Sequence, residues 1–405
     1  MTVVNLIDPE LMREPFDGFA RIREEGPLAR GVFPGEVDPV WLVTRYEDVK
    51  TVLGDSRFVN NPASVPGRNA DNIREQIITA RGIDPELAPY LLDSILDMDG
   101  ADHMRLRRLV SREFTARRVI DLRPRMAEIT EELLDRLDNE TDLIENFAYP
   151  LPITVICELI GVPEEGRAAW REQSRAMMTI AAGAMNAPLK KMIELSRDLI
   201  ERLRAQPGED LLSALIRTHD EDGDRLSDIE LITMIITLVV AGHETTAHLI
   251  GNGTLALLTH PDQLELVKKD PQLWPRAVHE LMRWCGPVHG ARVRYAAEDV
   301  EIGGQTIKKG EGVIAILVGA NYDPRRFDDP ERLDVTRERD SRREVHVGFG
   351  HGLHYCLGAA LARNEAEIAF SALFRRFPGL ALAGEPEREY LPFSWRLARL
   401  PVRLS

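Results

Sequence analysis

Cysteine is scarce in this chain. Three residues, Cys157, Cys285 and Cys356, are spread through 405 positions, too few and too scattered for a disulfide framework. A reducing compartment, the cytoplasm, is the expectation that follows. Aromatic residues make up only 6%. Basic charge is in deficit: 51 Lys and Arg stand against 66 Asp and Glu, a formal charge of −15. A general nucleic-acid binder needs a basic footprint, so that class is excluded. The first ten residues show no basic-then-apolar leader pattern. The longest apolar run, Leu231 to Gly242, is well short of the roughly 20 residues that cross a bilayer. No membrane attachment is therefore expected. No Ser/Gly linker, low-complexity tract or internal repeat divides the chain, which predicts one large domain over residues 1–405.

What is present is globular: 44% apolar and 29% charged residues. Val40 to Thr44 reads as a strand, with a helix opening near Tyr46. Residues 59–97 are broken by Pro62, Pro66, Gly67, Gly82 and Pro85, with a helical piece from Ile73 to Arg81. From 101 to about 260 the helical period dominates, as in Met104, Leu106, Leu109, Val110 and Phe114. Strand signals return over Asp299 to Ile307, where Gly303-Gly304 marks a tight hairpin turn, and over Val313 to Val318. A last helix runs from about Leu357 to Arg376, before Pro378. The expected class is mainly α with a small β portion.

Ser227-Asp228-Ile229-Glu230 has the capping-box pattern that opens a helix, and Pro261 follows its end. About 32 residues at 1.5 Å each span roughly 48 Å. Leu231 to Val240 is apolar all round, so this helix belongs in the core. Ala241-Gly242-His243-Glu244-Thr245-Thr246 then places an acid and two hydroxyls inside it. Burying an unpaired carboxylate is costly. Two explanations stand side by side: a helix kink with back-bonded threonines, or an acid–alcohol pair that delivers protons to a bound ligand.

Phe349-Gly350-His351-Gly352-Leu353-His354-Tyr355-Cys356-Leu357-Gly358 leads into the last helix. The glycines imply a close backbone approach to something flat or bulky. A helix starting after Cys356 turns the positive end of its dipole toward the sulfur, which favours the thiolate. Three roles compete: a buried free cysteine, as assumed for Cys157 and Cys285; a zinc site with His346, His351 and His354, whose spacing is poor for zinc; and a thiolate axial ligand to haem iron.

These residues resemble the cytochrome P450 family. Its pattern F-x-x-G-x-x-x-C-x-G is met by Phe349, Gly352, Cys356 and Gly358, its E-x-x-R by Glu280 and Arg283, and its A/G-G-x-D/E-T-T by Ala241 to Thr246. All three lie in the family's order, and the resemblance covers essentially the whole chain. It implies a single triangular-prism domain with the long helix over haem b. Cys356 would be the axial thiolate, in a cradle of Phe349, Gly350 and Gly358. Glu244 and Thr245 would relay protons, and Ala241 and Gly242 would leave room beside the iron. His103 and Arg107, from H-x-x-x-R, would hold haem propionates with His354 and Arg294, and Arg292 is a second choice. Glu280 and Arg283 would form a structural buried pair with Arg332 as third partner. Arg396 stands where many relatives have glycine, a departure from the family pattern beside the substrate-contacting turn near Phe393 and Ser394.

The resemblance further implies a haem-thiolate monooxygenase that splits O2 and hydroxylates or epoxidises a hydrophobic secondary metabolite such as a macrolide or other polyketide. A steroid or terpenoid is the runner-up substrate. Peroxide-using or non-oxygenating enzymes of the family often lack the acid–alcohol pair, and a haem-based sensor needs an output domain that is not visible. Electrons would come from a ferredoxin and its NAD(P)H-dependent reductase. The expected docking face carries Arg107, Arg108, Arg112, Arg342, Arg343 and Arg363. Substrate choice is expected from residues 59–97 and from the segment Met177 to Leu189, with Met178, Ile180 and Met185 in it.

Overall fold

The computed structural model describes residues 3–33, 39–177, 183–221, 225–337 and 344–405. It is mainly helical with small sheets, as the periodicity predicts. Arg342, Arg343, Met178 and Ile180 lie outside the described residues. The chain forms two compact units, Met1–Asn60 with Thr130–Ala148 and Thr245–Ser405, and Asn61–Ile129 with Tyr149–Glu244.

The first unit holds the β structure. Its largest sheet has six strands, in the order Val3–Asn5, Leu28–Val32, Val40–Val43, Gly312–Ala315, Arg294–Ala296 and Phe58–Val59. Val40–Val43 runs parallel to Gly312–Ala315, with Trp41 opposite Val313. Val43, Val313 and Ala315 join Tyr46, Val49 and Val52 of the helix Tyr46–Gly54 in one apolar core. The strand expected to reach Val318 ends at Ala315, because the chain turns into the short helix Leu317–Asn321. The predicted hairpin is present: Val300–Ile302 pairs with Gln305–Ile307. Gly303 and Gly304 carry φ of 55° and 76°, the two left-handed positions that such a turn requires. The helices Trp274–Cys285 and Ala359–Arg376 pack through Trp274, which stacks on Phe370 and Phe374 at 6.0 and 6.1 Å.

The described part of the second unit is largely helical, with Gly100–Glu113, Pro150–Leu159, Arg167–Ala176 and Asn186–Ala205 among its helices. The long helix Asp228–Thr259 begins in this unit. Its capping box is closed in both directions: Ser227 N–H donates to Glu230 Oε2 at 2.7 Å, and Glu230 N–H donates to Ser227 Oγ at 3.2 Å. Arg105 also donates to the Glu230 carboxylate, tying the helix start to Gly100–Glu113. By length and composition this helix could cross a membrane, although its uninterrupted apolar run is short. In the fold it is a core element, with Leu231 to Ile236 all buried.

Candidate active site

The long helix runs unbroken through residues 241–246. Its exposure changes there. Ala241 is exposed and Gly242 and Thr245 are half-buried, whereas His243, Glu244 and Thr246 are buried. Positions 241 and 245 are one turn apart, so a small side chain and a hydroxyl share one accessible strip of the helix. Glu244 sits beside that strip with a partner from elsewhere in the chain. The Tyr149 hydroxyl, at the start of Pro150–Leu159, donates to Glu244 Oε2 at 2.7 Å. Tyr149 is a functional candidate that no motif marks, because it lies 95 residues from its partner.

Cys356 lies in the other unit, half-buried, two residues before the N-cap Gly358 of Ala359–Arg376. Its backbone N–H donates to Phe349 O at 2.9 Å, which closes the loop. The glycines divide their work. Gly352 has φ 73°, and a Cβ there would lie 2.4 Å from Leu53 O, so its close approach is to the backbone of Tyr46–Gly54. Gly350, at φ 74°, serves the turn. Only Gly358 faces the sulfur: a Cβ there would stand 4.0 Å from Cys356 Sγ. The other two cysteines are buried, and burial pushes both thiols up to about 12, which keeps them neutral and inert.

The expected cationic residues fall on both units. Arg294 is buried, and its Nη1 donates to Val52 O and Leu53 O at 3.0 and 2.9 Å, two carbonyls at the C-terminal end of Tyr46–Gly54. Arg292 is exposed. His354 Nε2 lies 3.1 Å from Asn60 Nδ2. In the second unit His103 is buried and Arg107 half-buried, one turn apart on Gly100–Glu113. Within the same unit the two expected substrate segments touch: Gly183 N–H donates to Arg81 O at 3.1 Å, and Asn186 Nδ2 donates to Gly82 O at 2.9 Å. Arg112 is exposed, but Arg363 is tied to Glu344 at 2.9 Å.

His346 does not gather with Cys356. Among the described residues, the three-member cluster with metal-ligand spacing is His279, Glu344 and His346, and it excludes the cysteine. That cluster is already satisfied as a hydrogen-bond network. Gly348 N–H donates to His346 Nδ1 at 3.2 Å, so a neutral His346 carries its proton on Nε2, which lies 3.1 Å from His279 Nδ1. Tyr355 and Arg363 both donate to Glu344, at 2.9 Å each. A zinc ion would need the nitrogen that bears this proton. Cys356 thus offers one sulfur donor apart from that cluster, a set that suits an axial ligand to haem iron better than a structural zinc.

Residues 168–398 match the family model "Cytochrome P450". The chain is 44% identical to cytochrome P450 107B1 of Saccharopolyspora erythraea, covering 98% of this chain and 96% of that protein. It is 44% identical to the cytochrome P450 monooxygenase PikC of Streptomyces venezuelae, covering 95% and 92%. The tirandamycin C-bound P450 monooxygenase TamI superposes with a TM-score of 0.87 at 40% identity, covering 99% of this chain and all of that one. The chain belongs to the cytochrome P450 family and is a monooxygenase of it.

Proposed function

From that membership we propose that the chain binds haem b through Cys356 and oxygenates a hydrophobic secondary metabolite of the macrolide or polyketide class. Bound haem supplies the site at which O2 is activated, with electron donation from the thiolate favouring O–O cleavage. The remaining chemistry belongs to the chain's own residues. Cys356 holds its sulfur at the mouth of a closed loop. His103, Arg107, His354 and Arg294 are the donors for the propionates. Ala241 and Gly242 keep one strip of the long helix free of bulk. Thr245 offers its hydroxyl on that strip, and Glu244, oriented by Tyr149, supplies protons to it.

The observation that carries this reading is a buried carboxylate with an orienting phenol, one residue from a half-buried hydroxyl on a small-residue strip. The polyketide class is supported by relatives such as 6-deoxyerythronolide B hydroxylase of Saccharopolyspora erythraea, 41% identical over 96% of this chain. A steroid-like substrate is the second reading, favoured by the vitamin D(3) 25-hydroxylase of Pseudonocardia autotrophica, 41% identical over 99%.

Residues 59–97 and 177–189 select the substrate in this proposal, a ferredoxin and its NAD(P)H-dependent reductase deliver electrons, and the protein works in the cytoplasm as one haem domain. The test is a spectral-shift screen of macrolides, other polyketides and steroids against purified protein, followed by turnover with a surrogate ferredoxin system under labelled O2. Tight spectral binding by polyketides and label in the product support the reading. Label absent from the product rejects it.

A further inference from the structure

We propose that Glu344 and Arg363 form a charge pair beside the cysteine loop that sets how readily the iron held by Cys356 takes up an electron, with Glu344 the positioning residue that holds Tyr355 next to the cysteine. The inference rests on the reading of Cys356 as axial ligand given above. The pair is built into a closed cycle of three hydrogen bonds. The Tyr355 hydroxyl donates to Glu344 Oε2 at 2.9 Å. Arg363 Nη1 donates to Glu344 Oε1 at 2.9 Å and to the Tyr355 hydroxyl at 3.1 Å. Each group has the hydrogens and lone pairs its place demands. The guanidinium nitrogen gives two bonds, the phenol gives one and takes one, and the carboxylate accepts on both oxygens.

The cycle grips the chain on both sides of Cys356. Tyr355 immediately precedes the cysteine, and Arg363 lies in the second turn of Ala359–Arg376, the helix that follows it. The Arg363 guanidinium carbon also stands 5.4 Å from the ring centre of Phe349, whose carbonyl accepts the Cys356 N–H. His279 Nδ1 and His346 Nε2 each lie 3.4 Å from Glu344 Oε1, so the helix Trp274–Cys285 backs the carboxylate as well. Burial opposes a charge on Glu344, yet its hydrogen bonds and the Arg363 guanidinium outweigh it and hold the carboxyl down to about 2. Glu344 is therefore ionised. Both side chains are half-buried, where charges are screened less than at an open surface. Reduction adds one electron at the iron, supplied in turnover by the ferredoxin. A nearby carboxylate opposes that uptake and a nearby guanidinium favours it.

The experiment is equilibrium reduction of the haem-loaded protein against a redox dye of known potential, without any partner protein, so that docking plays no part. At a fixed dye poise, Glu344→Gln is expected to raise the ferrous-to-ferric ratio several-fold and Arg363→Gln to lower it several-fold. Combining the two should bring the ratio back toward that of the unaltered protein. A loop that merely loosens would move both single variants in the same direction. That result, or a ratio unmoved in both, overturns the inference. Should Glu344→Gln fail to take up haem, Arg363→Gln against Arg363→Lys carries the test. The ratio should fall in the first and hold in the second, and equal ratios overturn the charge pair. Tyr355→Phe keeps both charges. It is expected to move the ratio less than either charge variant and to shorten the lifetime of the red-shifted Soret band of the reduced CO complex. A band as durable as in the unaltered protein overturns the positioning role of Glu344. The same band separates the two readings: its absence from the unaltered protein rejects Cys356 as ligand, whereas its presence with unmoved ratios rejects the charge pair alone.

Discussion

Arg337 Nε lies 3.1 Å from Glu280 Oε1, the same oxygen that accepts from Arg283 Nη2 at 2.7 Å. The third member of this buried group is therefore Arg337. Arg332, the expected partner, contributes only its backbone carbonyl, 3.1 Å from Arg283 Nη2, and its side chain is exposed. Arg283 Nη1 donates to Asn321 O and Pro330 O, so the pair staples the helix Trp274–Cys285 to the end of Leu317–Asn321 and to the segment that follows it.

Arg283→Ala is expected to cost about 3–5 kcal/mol, because it strands a buried carboxylate. Arg337→Ala should cost about 1–3 kcal/mol, the price of removing one partner of a hydrogen-bonded charge. Arg332→Ala should stay within about 0.5 kcal/mol, as for an exposed side chain. Urea denaturation of the three variants, scored with their haem content, checks the order.

Cys356→His is expected to abolish the red-shifted Soret band of the reduced CO complex. Cys157→Ala and Cys285→Ala should leave that band in place, since both thiols are buried and neutral. The CO difference spectrum decides, and a band that survives in Cys356→His removes the cysteine from the iron.

Thr245→Ala should retain haem and substrate binding while diverting reducing equivalents to peroxide or excess water. The measurement is product formed per NAD(P)H consumed. Coupling equal to that of the unaltered protein would make Thr245 an ordinary helix residue.

Acid should destabilise the fold through buried histidines. Burial pushes His346 and His289 down to about 3, whereas an unfolded histidine titrates near 6.5. Between those values the unfolded chain binds more protons, so stability rises with pH across the window and is lost as pH falls from about 6.5 toward 3. Each histidine contributes about 2 kcal/mol of loss between pH 7 and 5 by this linkage. In His289→Phe, one share of that slope should vanish, whatever the change at pH 7. Urea midpoints at pH 7 and 5 test it, and an unaltered slope would show that His289 titrates normally in the fold.

Much of this was readable beforehand because it is local. Ser227 and Glu230 are three residues apart, and the capping box they suggest is the one that forms. Gly303-Gly304 could adopt its turn without reference to the rest of the chain. Contacts between distant segments were not readable. Tyr149 reaches Glu244 over 95 positions, and His279 meets His346 over 67. No spacing rule connects such pairs; they follow from how helices pack. Arg332 and Arg337 show the limit within a single segment, because five residues of irregular chain decide which guanidinium turns inward. The strand expected to continue to Val318 failed for a related reason: Ile316 to Val318 are apolar enough for either state, and packing gives Leu317–Asn321 to a helix.

The contact between Gly352 and Leu53 bears on anyone who would breed new activities from this scaffold. A position that needs both a left-handed backbone and a 2.4 Å clearance tolerates no other residue, so mutagenic libraries gain nothing by sampling it. Its neighbour Leu353 is half exposed, at 50%, and can be randomised without disturbing the bond from Cys356 N–H to Phe349 O. A search that freezes residue 352 and diversifies 353 spends its clones where the loop can accept them.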